Sequence, residues 1–126
     1  GFNCRMPNLN AALGISQLKK IKGYLNLKKN IHYLYKEFFD GTDVKLFSSH
    51  NKSDNPNYWL NTVKFNSLKS KENFIKYCIS KNVNVKPGWI PLHYFNHFKF
   101  DLKGNLDNTE KIYKCIVNLP SSPNIK

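Results

Sequence analysis

Gly1-Phe2-Asn3-Cys4-Arg5-Met6-Pro7-Asn8-Leu9-Asn10-Ala11-Ala12-Leu13-Gly14 opens the chain, a polar lead-in that runs straight into an apolar-periodic segment. Arg5 is the only arginine, and it stands close to Asn3. Its planar guanidinium presents donors in a fixed fork that suits carboxylates and phosphates, which a lysine ammonium does not match. A plainer reading is a helix lead-in, with Pro7 in the first turn and Asn8 as the cap. Over residues 8–39, Leu9, Leu13, Leu18, Ile21, Leu25, Ile31, Leu34 and Phe38 recur at three- and four-residue steps or their multiples, which predicts a long helical spine. Gly23 lies in its middle, where glycine costs about 1 kcal/mol against alanine, so a kink or a change of helix is expected there. Asp40-Gly41 closes the spine, with glycine free to take the left-handed conformation.

Downstream, Val44-Lys45-Leu46-Phe47 reads as a short strand and the polar segment 48–56 as a loop. Tyr58-Trp59-Leu60-Asn61-Thr62-Val63-Lys64-Phe65 is the strongest strand signal, with aromatic and β-branched residues on both faces, as a central strand requires. Ser67 and Ser70 are candidate caps for a helix whose stripe is Phe74, Ile75, Cys78 and Ile79. Cys78 falls on that stripe and reads as core, because a free thiol packs as a small hydrophobe. Val83-Asn84-Val85 is a further strand, stopped by Pro87-Gly88. An aromatic stretch over 89–100 contains Pro91, His93 and His97. Asp107 or Asn108 caps a helix through Ile112, Cys115 and Ile116, and Val117-Asn118-Leu119-Pro120 ends the chain's regular structure as a strand. This order predicts an α+β domain with a small, mostly antiparallel sheet backed by helices.

At 126 residues the chain suits one domain with a real core. No apolar run reaches the roughly 18 residues of a membrane span, and no charged-then-apolar leader is present. Cys4, Cys78 and Cys115 are odd in number and far apart, matching no zinc spacing, so reduced thiols in a cytoplasmic protein are expected. The net charge of +12 is spread over scattered lysines with no arginine–aromatic interleaving, so nucleic acid is not the expected partner. The chain begins at Gly1 and not Met, so a piece of a longer protein, or a processed one, is expected.

His93 and His97 are four apart, but no glutamate follows the first histidine and no third ligand is evident, so metal binding is not expected. The sequence holds no glycine-rich phosphate loop, no GxSxG and no carboxylate pair. Asn3, Arg5, Trp89 and His93 remain as candidate binding residues. Each has a structural alternative: a turn bond for Asn3, core filling for Trp89, a satisfied carbonyl for His93.

Together these strings resemble the DegT/DnrJ/StrS family of sugar aminotransferases, fold-type I enzymes that use pyridoxal phosphate (PLP). The opening Gly-Phe-Asn-x-Arg-Met-x-Asn-Leu-Asn-Ala-Ala-Leu-Gly, followed by Gln17-Leu18, is the most specific part. Tyr58-Trp59-Leu60-Asn61-Thr62, Val85-Lys86-Pro87-Gly88-Trp89-Ile90-Pro91-Leu92-His93 and Val117-Asn118-Leu119-Pro120-Ser121-Ser122 extend the likeness over nearly the whole chain. The second and last of these look most like the branch acting on UDP-linked 4-keto-6-deoxy amino sugars, in bacillosamine- and legionaminate-type pathways.

The resemblance implies an inter-domain loop and long helix over residues 1–41 and a small C-terminal α+β domain over 42–126. The large PLP-binding domain, with its Schiff-base lysine, would lie upstream of residue 1, and the family's last helix just beyond residue 126. The implied reaction moves an amino group from glutamate to a nucleotide-linked keto-sugar in glycan biosynthesis, in a cytoplasmic homodimer with shared active sites. By the same resemblance Asn3 reaches the cofactor phosphate across the dimer, Arg5 lies near the bound sugar nucleotide, and Trp89 and His93 border the substrate entrance. No catalytic residue is expected within the chain. Two departures stand out: Cys4 where an aromatic is common, and Lys86 where arginine is frequent, which keeps the charge but loses the bidentate fork. Two other readings stay open, a free-standing basic module for RNA or an acidic partner, and an inactive fragment.

Overall fold

The structure, a computed structural model, describes residues 4–49, 51 and 53–124. A single helix α1, Asn8–Phe39, comes first. It neither ends nor restarts at Gly23, because one glycine's cost of about 1 kcal/mol is small against the hydrogen bonds of a helix of 32 residues. Asn8 is its first helical residue and not its cap; Pro7 holds that position, with its carbonyl accepting from the Ala11 amide at 3.0 Å. At the far end Gly41 takes φ +72°, as the sequence predicts, and Thr42 turns its amide and hydroxyl back to the Phe39 carbonyl.

Four short strands form one antiparallel sheet in the order β1-β2-β4-β3: β1 Lys45–Leu46, β2 Asn61–Lys64, β3 Lys86–Pro87 and β4 Ile116–Leu119. The expected strand over 58–65 is central but shorter, since Tyr58 sits at φ +50° and the ladder begins only at Asn61. The register Asn61↔Leu119 and Val63↔Val117 sends those four side chains to one face, where all are buried. Helix α2, Leu68–Ser80, starts at Ser67, whose hydroxyl accepts from the Ser70 amide. It lays Phe74, Ile75 and Cys78 on a core that includes Phe39, Val63, Phe65, Val85, Val117 and Leu119. Cys78 is core, as its stripe implies.

The strand expected at 83–85 is displaced to Lys86–Pro87. Asn82, at φ +57°, ends α2 in a Schellman turn: the Asn82 amide bonds Ile79 and the Val83 amide bonds Cys78. The Val83 amide therefore finishes a helix instead of joining a ladder. β3 ends at Pro87, where the Pro87-Gly88 stop was expected, and a proline is tolerated there because β3 is an edge strand and the missing N–H faces no partner. Residues 92–94 and 96–98 form two 3₁₀ turns. Helix α3, Asp107–Cys115, is entered through Asn105, whose side-chain oxygen accepts from the Asp107 amide; neither Asp107 nor Asn108 caps it.

The last turns of α1 meet the sheet through polar contacts at one helical stripe. Lys28, His32 and Tyr35 reach the Ser121 carbonyl, the Asn61 side chain and the Pro120 carbonyl respectively. Burial lowers the tendency of the Lys28 amine to hold its proton.

Two consequences can be measured on the intact protein. A Cβ on Gly88 would overlap Cγ1 and Cδ1 of Ile116, so Gly88→Ala should lower stability by about 1–3 kcal/mol. Trimming the neighbour with Ile116→Val should recover part of that loss; an unchanged Tm for Gly88→Ala would show that the packing is loose. Burial also pushes the Cys78 thiol up and so suppresses its thiolate. Alkylation at mildly alkaline pH, read by mass spectrometry, should modify Cys78 only on unfolding; labelling at a free-thiol rate would contradict this.

Candidate functional site

Trp89 follows Gly88, whose lack of a side chain lets the end of β3 lie against Ile116. Trp89, 68 % exposed, and Trp59, 60 % exposed, set their rings edge-to-face with centroids 5.3 Å apart. Trp59 lies just before β2 and is held by its backbone: its amide donates to Asn57 Oδ1 at 3.0 Å and its carbonyl accepts from Lys28 Nζ at 3.4 Å. Next to this aromatic corner a cleft of about 300 Å³ opens on the sheet, lined by Leu60, Asn84, Lys86, Trp89, Asn118 and Leu119. The pairing Lys86↔Asn118 beside Thr62↔Asn118 puts Lys86, Asn118 and Thr62 on the face opposite the core.

His93 lies on the first 3₁₀ turn and His97 on the second, so they do not share one helix face. His93 is largely covered. Its Nε2 is 3.1 Å from Glu110 Oε1 on α3, and its ring packs on Tyr94 with centroids 4.4 Å apart. The Glu110 contact ties the loop after β3 to α3. Among the described residues no group of three histidine, cysteine or acidic side chains is placed to hold a metal.

Of the four residues singled out in the sequence, Trp89 and His93 lie on one loop. Arg5 is exposed in the extended lead-in to α1. At about 1.5 Å of rise per residue, the helix from Asn8 to Lys28 is about 30 Å long, and Lys28 is the residue that touches Trp59. Arg5 and the aromatic corner therefore cannot hold one small ligand within a single chain. Asn3 lies outside the described residues. Trp59 and Glu110 are the residues that sequence reasoning missed. Trp59 reads as a strand residue by alternation, and only the late start of β2 frees it; Glu110 gives no local signal, because its partner is 17 residues away.

The described residues do not fit the attachment point of PLP. Only Lys28 and Lys71 among the described lysines are withdrawn from solvent. Lys28 is committed to two backbone carbonyls, and the Lys71 ammonium lies 6.0 Å from the Tyr113 ring. Neither amine is free in an enclosed cup, so no chemical step of that cofactor belongs to these side chains.

Known proteins share both the sequence and the fold. The chain is 26 % identical over 129 residues to EpsN of Bacillus subtilis (strain 168), assigned to the pyridoxal phosphate-dependent aminotransferases, covering 99 % of this chain and 33 % of EpsN. It is 25 % identical over 95 residues to GDP-perosamine synthase of Escherichia coli O157:H7, covering 74 % of this chain and 25 % of that protein. The structure of Helicobacter pylori PseC, an aminotransferase involved in the biosynthesis of pseudoaminic acid, superposes with a TM-score of 0.86 at 18 % identity, over all of this chain and 35 % of PseC. The chain thus spans about a third of the length of EpsN. The family model for DegT/DnrJ/EryC1/StrS aminotransferases matches residues 1–126, every residue of the sequence, and the chain belongs to that family.

Proposed function

We propose that the protein containing this chain is a PLP-dependent aminotransferase that moves an amino group from glutamate to a nucleotide-linked keto-sugar, for a surface glycan. The observation that carries the reading is the family match over residues 1–126. The fold it shares with PseC supports it. Residues 1–41 act as the inter-domain loop and helix and 42–126 as the small C-terminal domain. The PLP-binding domain and its lysine lie in a separate part of the protein. The enzyme works in the cytoplasm. The favoured substrates are UDP-linked 4-keto-6-deoxy amino sugars, on the strength of the Trp-Leu-Asn and Asn-Leu-Pro-Ser-Ser strings at 59–61 and 118–122.

When bound, PLP supplies the electron sink for the transfer. This chain's residues bind and orient. The Arg5 fork takes an anionic group of the substrate, Asn3 donates to the cofactor phosphate, and the Trp89–His93 loop borders the sugar. Glu110 holds that loop against α3 through His93. Because about 30 Å of helix separates Arg5 from the Trp89 corner, one site takes Arg5 from one protomer and the Trp89–His93 loop from its partner. The functional unit is a homodimer.

The intact protein should carry a visible PLP band that shifts on adding glutamate; a colourless protein with no such band would remove the reading. Subunit complementation tests the shared site. Arg5→Ala and His93→Ala should each abolish most activity, and equal amounts refolded together should regain about a quarter of wild-type activity, because half of the mixed dimers' sites are intact. No recovery above either parent would place both residues in one protomer's site.

A further inference from the structure

We propose that Ser48, His32 and Asn61 form an acyl-transfer site, in which Ser48 attacks small activated carboxylic esters. The inference stands apart from the aminotransferase reading and uses none of its residues. Asn61 Oδ1 lies 2.8 Å from His32 Nδ1, and Ser48 Oγ lies 3.2 Å from His32 Nε2. The direction of the Asn61 amide decides the chemistry. The Ser121 hydroxyl donates to the Leu119 carbonyl, so towards Asn61 it only accepts, taking Nδ2–H and leaving Oδ1 for the ring. Oδ1 requires a proton on Nδ1, which leaves Nε2 as the bare nitrogen facing Ser48. Nucleophile, base and orienting group thus stand in the order that activates a hydroxyl.

Exposure follows the same division of roles. His32 and Asn61 are buried, whereas Ser48 is exposed in the wall of a cleft of about 550 Å³. Phe47, Tyr58 and Leu60 give that cleft its apolar surface, and Lys36 lines it as a cation. Asp54, its one acidic lining residue, is engaged by the Ser49 hydroxyl. Tyr58 stands at φ +50°, uncommon for a bulky residue, and its ring lies 4.9 Å from the imidazole, so strained backbone covers the base. The Ser48 and Ser49 amides donate to no described residue and are the donors available to an oxyanion. In the reaction, Ser48 Oγ bonds to the acyl carbon while its proton passes to His32 Nε2. The C–O bond to the alcohol breaks and the alcohol leaves with that proton. Water then attacks the acyl-serine by the same route, releasing the carboxylic acid and restoring Ser48. An amide orients the imidazolium but brings no negative charge to it, which restricts the site to esters with good leaving groups.

Two probes test the assignment on the intact protein: diisopropyl fluorophosphate, with adducts mapped by mass spectrometry, and p-nitrophenyl acetate, with nitrophenolate release followed over many turnovers. The phosphoryl adduct should form at Ser48 ahead of every other serine, with loss of fluoride. Ser48→Ala, at an exposed position that leaves the fold intact, should lose the adduct and the sustained release of nitrophenolate. His32→Gln keeps a polar side chain but no basic nitrogen. In its folded form it should label Ser48 about a hundredfold more slowly, as loss of a positioned general base does. No preference for Ser48, unchanged turnover in Ser48→Ala, or labelling at the wild-type rate in folded His32→Gln would overturn the site.

Discussion

A run of hydrogen bonds from Ser48 through the buried pair His32 and Asn61 to Ser121 is the constraint on which the rest of the structure depends. Asn61 is 1 % exposed, on a strand whose other inward residue, Val63, is apolar. An amide in that position is tolerable only if it is satisfied. Ser121 Oγ accepts from the Asn61 backbone amide at 2.8 Å and from Nδ2 at 3.1 Å, and donates to the Leu119 carbonyl at 2.9 Å. With its proton so used, Ser121 fixes the amide's orientation, leaving Oδ1 to face His32 Nδ1 at 2.8 Å. Oδ1 only accepts, so Nδ1 carries a proton. The other ring nitrogen then meets the Ser48 hydroxyl at 3.2 Å, and every polar side-chain atom buried among the described residues has a partner.

This run joins four places in the chain: the last turns of α1, the segment just after β1, the start of β2 and the exit of β4. Lys28 and Tyr35, on the same stripe of α1 as His32, add bonds to the Ser121 and Pro120 carbonyls. The helix is thereby set against the sheet by direction-specific contacts, where apolar packing alone would permit sliding. Lys28 carries the constraint on to the Trp59 carbonyl, and so to the aromatic corner. The first turns of α1 are different. Leu9, Leu13, Ile15 and Leu18 are all exposed, and the helix projects from the sheet as an arm with Arg5 at its tip.

Much of this was legible in the sequence because it is local. The three-and-four spacing marks α1 and α2, Gly41 marks the first turn, and the stripe through Phe74 and Cys78 marks the core face. Strand limits were less legible, since they depend on who takes each amide: Val83 completes a helix turn, and Tyr58 bends the chain before β2 begins. The change of helix expected at Gly23 does not occur, for the converse reason, a weak local preference overruled by the rest of a long helix. At the site, the composition drew notice to Arg5, Trp89 and His93, but not to their separation, because about 30 Å of helix intervenes only in three dimensions. Trp59, Glu110 and the pairing of Asn61 with Ser121 join residues remote in sequence, and no pattern within a short window reports them.

The claim that α1 and the sheet are locked by the His32–Asn61 contact is tested most directly by a double-mutant cycle. Unfolding free energies would be compared for the intact protein, His32→Ala, Asn61→Ala and the double variant. Each single change leaves a buried polar partner unanswered, so the two losses should overlap, with a coupling energy of about 1–3 kcal/mol. Losses that add to within about 0.5 kcal/mol would mean that the two side chains act independently, and that apolar packing alone sets the helix on the sheet.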